Sequence, residues 1–276
     1  MLRILTLMED ATPNNGGLVH EHGLSLYIEF GGKRFLFDTG STDKFLINAD
    51  RMGVDLDNLD GCVISHNHYD HGGGFIYWAR RGYNLPRLYT GKDFFDVKYK
   101  MAEGGRKTFL ASGITEAVLE RFGVENVQCE DVLELCPGAW VVSGFKMEND
   151  FEKTVERFTR EVDGEIRIDQ FKEEASLVFE TDKGLVFVVG CSHPGIVNMI
   201  NKVKAKFDQP IYAVYGGTHL IAADDERIEK TLDFCRDSGI KVLGMCHCTG
   251  EHAEEMIKER SEFQAVHLAP GDVVTI

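Results

Sequence analysis

The chain has 276 residues and a formal net charge of −15, with 45 acidic against 30 basic side chains and no basic run longer than Arg80-Arg81. That balance argues against a polyanion partner, because proteins that process RNA or DNA need basic surface to neutralise phosphates. The 43% hydrophobic fraction suffices for a large core, no stretch reaches the apolar length of a membrane span, and no linker divides the chain, so a single domain over 1–276 is expected.

In chain order, Met1–Met8 reads as a first strand that meets Glu9-Asp10, not as a signal peptide. Short β-branched or aromatic runs predict strands over 24–30, 34–37, 61–65, 87–89, 139–143, 176–180, 185–189, 211–215 and 242–245. Helical patterns cover 44–52, 115–122, 196–207, 225–238 and 251–259. This alternation fits two mixed sheets packed face to face with helices outside, an α/β (α+β) sandwich of four layers, αββα. Seven cysteines, an odd number with two beside His247, argue for reduced thiols and a cytoplasmic protein over a disulfide framework.

Residues 65–74, Ser-His-Asn-His-Tyr-Asp-His-Gly-Gly-Gly, put three imidazoles and a carboxylate into six consecutive positions. His66 and His68 are two apart, so an extended strand end points both side chains the same way. Asp70 and His71 are adjacent, so on the following turn they diverge from that pair and can serve a second metal. The glycines read as a turn into a helix. Imidazole, carboxylate and water suit Zn²⁺, Mn²⁺ or Fe²⁺ with a position left open for chemistry. The competing account, a solvated polar loop, asks three of only ten histidines to fall here by chance.

Three later segments share one layout. The predicted strand 185–189 leads to His193, 211–215 to His219 and 242–245 to His247, each followed by a predicted helix. Sites in α/β architectures gather at the carboxyl ends of strands, where loops converge over a rigid sheet. With His66, His68 and His71, six of the ten histidines lie just past strand ends.

The His-x-His-x-Asp-His run resembles the signature of the metallo-β-lactamase superfamily. Glu21-His22-Gly23-Leu24-Ser25 and Phe35-Leu36-Phe37-Asp38-Thr39-Gly40 are similar to the strands and turn that precede its metal loop. Gly190-Cys191-Ser192-His193-Pro194-Gly195, Gly216-Gly217-Thr218-His219-Leu220 and Cys246-His247-Cys248-Thr249-Gly250 narrow the resemblance. They point to the branch that includes the archaeal dihydropterin synthase acting on ribofuranosylaminobenzene 5′-phosphate. The resemblance implies the αββα fold and two divalent transition metal ions, Zn²⁺ first, with Mn²⁺ or Fe²⁺ as alternatives. It makes His247 the last ligand, joining Asp70 and His71 in the second site.

The chain also departs from the family pattern. Segment 169–176 has no histidine before the strand pair, and the bridging Asp position falls on Cys191. The third ligand beside His66 and His68 is therefore His193 from a shifted position, Cys191 as a thiolate, or both. Strand alternation points Cys246 and Cys248 away from the side that His247 faces, which makes them small packing residues. Glu173 and Glu174 read as an exposed charged turn.

His22 and His219 read as substrate-facing, since a histidine beside metals can donate to a phosphate or protonate a leaving group. Asp70 is expected to orient the nucleophile, and Asp38 to anchor the metal loop through backbone N–H groups. In this superfamily the loops after the metal motif shape the pocket, so 83–113 reads as a substrate-loop insert, with Lys100 and Arg106 as its cations. The expected activity is hydrolysis of a phosphoester, thioester or lactone, or dihydropterin-synthase-like transfer. The substrate is expected to be a small phosphorylated molecule, with no nucleic acid or membrane as partner. A nucleic-acid-processing hydrolase and a non-catalytic metal-binding sensor are the alternatives, and the oligomeric state is left open.

Overall fold

The structure is a computed structural model that describes residues 1–14, 16–153 and 155–276, with Glu103 described by its backbone. The chain begins with β1 (Leu2–Met8), β2 (Ser25–Phe30), β3 (Lys33–Phe37), helix α1 (Lys44–Arg51), β4 (Gly61–Val63), α2 (Tyr69–Arg80) and β5 (Leu88–Gly91). Next come β6 (Val97–Met101), β7 (Lys107–Phe109), α3 (Glu116–Phe122), β8 (Asn126–Cys129), β9 (Val132–Cys136), β10 (Ala139–Val142), β11 (Phe158–Val162) and β12 (Glu165–Ile168). It ends with β13 (Ser176–Thr181), β14 (Gly184–Val189), α4 (Ile196–Lys206), β15 (Ile211–Gly216), α5 (Asp225–Asp237), β16 (Val242–Met245), α6 (Glu251–Glu259), β17 (Gln264–His267) and β18 (Val273–Thr275).

Two seven-stranded sheets, ordered β18-β1-β2-β3-β4-β5-β8 and β17-β16-β15-β14-β13-β10-β9, form the sandwich. Period-two alternation assigns each side chain to a layer. In β14, Val186 and Val188 face the inter-sheet core with Leu26, Phe37 and Phe179. Leu185, Phe187 and Val189 face the other way, onto Ile196 and Ile200 of α4 and Leu232 of α5. In the first sheet, Phe35 and Phe37 point inward while Leu36 packs outward against Phe45 of α1 and Phe75 and Trp78 of α2. This is the αββα sandwich that the sequence predicts. Among the described residues no helix is long and apolar enough to cross a membrane.

Two sequence expectations need correction. Helix α2 starts at Tyr69, so Asp70 and His71 lie in its first turn and the three glycines lie inside the helix, not in a turn before it. The helix runs against the 39–42 loop. A Cβ at Gly74 would lie 2.1 Å from the Thr39 carbonyl oxygen, and one at Gly73 would lie 2.6 Å from that of Ser41. Glycine weakens a helix by about 1 kcal/mol, and here that loss is offset by the close approach that holds the metal loop down.

The segment 83–113 is also not one insert, because β5 within it pairs with β4 and β8 in the core of the first sheet. Only β6 and β7 leave the sandwich. They join β11 and β12, which the sequence pattern did not reveal, in a four-stranded cap ordered β12-β11-β6-β7. The cap stands at the site because β11 and β6 pair with Phe158 opposite Lys100.

Candidate metal centre

The chemistry-bearing residues sit at one end of the sandwich, past the carboxyl ends of β1, β4, β14, β15 and β16. The donor atoms of His66, His68 and His193 lie within 4.8 Å of one another, and so do those of Asp70, His71 and His247. Within these groups His66 Nε2 is 3.1 Å from His68 Nδ1, and His71 Nε2 is 3.2 Å from His247 Nε2. Two nitrogens bound about 2.1 Å from one tetrahedral ion lie roughly 3.4 Å apart, so the spacing fits a shared metal. Among the described residues His193 Nε2 is buried with no hydrogen-bond partner, as suits a nitrogen turned toward a metal. Both groups therefore fit a divalent ion.

Burial pushes His66 and His193 well below the ordinary imidazole range and His68 down to about 3, so all three are neutral, as ligands must be. The other group is charged. Burial works to raise Asp70, but His71 and the hydrogen bonds from His22 and His247 hold its carboxyl well below the usual range. Burial works to lower His247, and hydrogen bonds to Asp10 and Asp70 outweigh it, raising it well above normal. Hydrogen bonds to Asp10 and then Asp70 lift His22 to about 9.

Supporting carboxylates fix these ligands. Asp38 accepts from the Ser65 N–H at 2.7 Å and hydroxyl at 2.8 Å, and its Oδ2 lies 2.6 Å from His71 Nδ1, which turns His71 Nε2 toward the site. Asp10 does the same for His247, 2.6 Å from Nδ1, while its second oxygen lies 2.6 Å from His22 Nδ1. Glu9 accepts the His247 backbone N–H at 2.5 Å. Glu174 accepts the Ser192 and His193 N–H groups at 2.6 and 2.8 Å. Phe171 stacks on the His193 ring at 3.9 Å. Five of the seven non-glycine residues with positive φ among those described, Asp38, Phe171, Ser192, His219 and His247, belong to this centre, so backbone strain is concentrated here.

A cleft of about 270 Å³ opens over the centre, walled by Asp10, His22, Asp70, His219 and Phe158 among others. Lys100 and Arg157 stand in its wall and are exposed. His22 Nε2 reaches Asp70 Oδ2 at 3.2 Å. His219 meets His193 edge-on at 4.4 Å, and among the described residues its Nδ1 is buried without a partner.

Residues 20–128 match the family described as the metallo-β-lactamase superfamily. Over nearly the whole length the chain is 33% identical to the 7,8-dihydropterin-6-methyl-4-(β-D-ribofuranosyl)-aminobenzene-5′-phosphate synthase of Methanocaldococcus jannaschii, covering 96% of this chain and 94% of that protein. The chain belongs to the metallo-β-lactamase superfamily. A solved structure of a metal-dependent hydrolase of the β-lactamase superfamily superposes with a TM-score of 0.85 at 31% identity, covering 100% of this chain and 99% of its own. A diphosphatase of the PhnP family shares the fold alone, with a TM-score of 0.57 at 12% identity over 100% of this chain and 98% of its own.

Both alternatives for the third ligand reach this centre, and it departs from the sequence expectations at Cys248 and at the cations of the cleft. His193 and Cys191 both arrive: His193 faces His66 and His68, and the Cys191 sulfur lies 3.1 Å from His71 Nε2, between the two groups. Cys248 is not a packing residue facing away. Strand β16 ends at Met245 and a 3₁₀ turn spans His247–Thr249, so alternation no longer applies and the Cys248 sulfur joins Cys191 and His247; Cys246 stays in the inter-sheet core. Arg106 does not line the cleft, because it lies at the exposed turn between β6 and β7 beyond Lys100. Arg157, just before β11 and beside the Phe158–Lys100 pair, lines the cleft instead.

Glu173 and Glu174 are buried, not an exposed turn. Glu173 pairs with buried Lys98 at 2.5 Å, and Asp169 pairs with the same ammonium at 2.7 Å. Sequence reasoning missed Asp10, Glu9 and Arg157. The first two carried a signal of the kind used for the histidines, since Glu9-Asp10 also follows the end of an apolar strand.

Proposed function

We propose that the chain is a dinuclear metal enzyme that transfers a small molecule away from a phosphate or diphosphate leaving group, in the manner of a dihydropterin synthase. One observation carries the reading: two adjacent ligand groups, His66/His68/His193 and Asp70/His71/His247, open into a single cleft with Lys100 and Arg157 in its wall. Two divalent ions, Zn²⁺ first and Mn²⁺ or Fe²⁺ next, supply Lewis acidity toward a leaving-group oxygen when bound there. Lys100 and Arg157 are placed to grip a phosphate, Arg by its planar fork and Lys as a point charge. His219 offers its unpartnered Nδ1 to the same phosphate or to the departing oxygen. His22, held by Asp10 and reaching Asp70, lines the same cleft as an imidazolium, and Asp70 would orient the attacking group. The net charge of −15 supports a small substrate over nucleic acid.

The likeness to the dihydropterin synthase over 96% of the chain supports a second substrate as acceptor. Water as acceptor, which would make the protein a phosphoester hydrolase, is supported by the similar structure named as a metal-dependent hydrolase. The deciding assay supplies dihydropterin diphosphate with and without ribofuranosylaminobenzene 5′-phosphate to protein loaded with Zn²⁺ or Mn²⁺. Diphosphate release that requires the second compound, with a joined product by mass, is expected. Release without it makes the enzyme a hydrolase, and salt-dependent RNA or DNA cleavage with neither reaction overturns the small-molecule reading. His219→Ala is expected to lower turnover with metal content unchanged; equal loss of metal would make His219 a ligand.

A further inference from the structure

Beside the six nitrogen and carboxylate ligands, two sulfurs face the centre. The Cys191 Sγ, 3.1 Å from His71 Nε2, belongs to one tight group with His66 and His71 and to another with His247 and Cys248. Within the second group every donor atom lies within 4.8 Å of the others, and all three residues are buried. The other cysteines stand elsewhere: Cys62, Cys129, Cys235 and Cys246 in the apolar cores, and Cys136 against the edge of one of them.

The backbone is shaped around the Cys248 sulfur. His247 takes a left-handed φ of 53°, which folds the next residue back over the site. The His219 backbone N–H donates to Cys248 Sγ at 3.3 Å, and the sulfur lies 3.5 Å from the Cys191 carbonyl oxygen, so two backbone groups fix where it points. A Cβ on Gly217 would lie 2.5 Å from Cys248 Sγ and 2.7 Å from the Gly190 carbonyl oxygen, so glycine there leaves room for the sulfur as well as for the neighbouring chain.

Resting on the metal reading above, in which Cys191 already stands as a candidate thiolate, we infer that Cys248 is a further thiolate ligand of the second metal. Cys191 stands at the boundary with the first, which makes the second site a mixed imidazole, carboxylate and sulfur site. Each thiol gives its proton to solvent as its sulfur binds, so loading the second site releases one proton per thiol. Thiolate donors select softer ions, so this site takes Zn²⁺, Co²⁺ or Cd²⁺ over Mn²⁺, while the all-imidazole site does not acquire that preference.

The test is Co²⁺ loading of the metal-free full-length protein, read by absorption. A near-ultraviolet sulfur-to-cobalt charge-transfer band is expected, reduced in Cys191→Ser, reduced in Cys248→Ser and absent in the double variant. Should the Cys248 variant fail to fold, the wild-type band decides the matter, since two thiolates per ion give about twice the intensity of one. A band unchanged in folded Cys248→Ser, or a wild-type intensity of a single thiolate, removes Cys248 from the site. Visible cobalt bands with no charge transfer overturn the sulfur ligation while leaving the metal reading standing, and no Co²⁺ binding at all overturns both.

Discussion

His66, His68 and His193 offer three neutral nitrogens among packed rings, with Phe171 stacked on His193 and Phe158 5.7 Å from His68. Across a few ångströms, Asp70, His71 and His247 sit in a web of carboxylates, with Asp38 behind one histidine and Asp10 behind the other. The rings of the first group are held by packing, with carboxylates only on the backbone and loop behind them, whereas the side chains of the second are held by charge. Neutral imidazoles in a dry pocket leave an ion's charge uncompensated, whereas anionic ligands and their carboxylate supports neutralise it. On the proposed two-metal reading, the second position is expected to be the tighter one and the first to be tuned by its surroundings.

Removing one ligand from each side is the strongest way to break that comparison. His247→Ala takes away a ligand that carries its own carboxylate partner. Its loss is expected to empty the second position and lower turnover by more than the roughly 100-fold that marks the upper end for outer-shell partners. His193→Ala should empty only the first position. Metal analysis of both variants checks this, and a variant that loses all metal from either change would show that the two positions are not separable.

Stability separates the sides next. The first group rests on Phe171, whose loop is pinned because Asp169 and Glu173 share the buried Lys98 ammonium, 5.4 Å from the Phe171 ring centroid. Lys98→Met leaves two buried carboxylates without their cation, a change expected to destabilise by about 3–5 kcal/mol. Denaturant unfolding measures the loss, and metal analysis should show the first position weakened more than the second. A destabilisation below about 1 kcal/mol would mean that the carboxylates find water instead.

Much of the first group was legible in the sequence because its ligands announce themselves locally: a His-x-His at a strand end, and a histidine soon after an apolar strand. The sandwich was legible for the same reason, since period-two runs and helical stripes are short-range patterns. What escaped depends on distant partners. Asp10 and His247 are 237 residues apart, and Lys98 and Asp169 are 71 apart, so no local pattern ties them. The cap escaped because β6 ends at Met101 and its partner β11 begins only at Phe158, and both present mixed, half-exposed faces. Cys248 was misread because alternation was carried three residues past the end of β16 at Met245, into a 3₁₀ turn. Asp10→Asn tests the long-range part directly. It keeps the shape, removes the charge behind His247, and is expected to weaken the second metal about 10–100-fold with the first unchanged by titration.

The smallest effect falls on the element that carries the first group's last ligand. Helix α4 begins at Ile196 just after His193, and its N-cap position is Gly195, which has no side chain to cap it. Glu152 supplies the cap from the segment before the β11–β12 hairpin, accepting the Val197 and Asn198 N–H groups at 2.9 Å each. Burial raises the Glu152 carboxyl above its usual range, and those two N–H groups offset only part of that rise. A carboxylate at a helix N-terminus also meets the positive end of the helix dipole. Glu152→Ala leaves both N–H groups without their acceptor, and the expected loss is about 1 kcal/mol, read as a lowered unfolding midpoint. Because the cap acts on the turn that holds His193 and not on β16, the first metal should dissociate slightly faster while the second does not change. Equal loosening of both would mean that the loops move as one body and that shape and charge do not divide the centre.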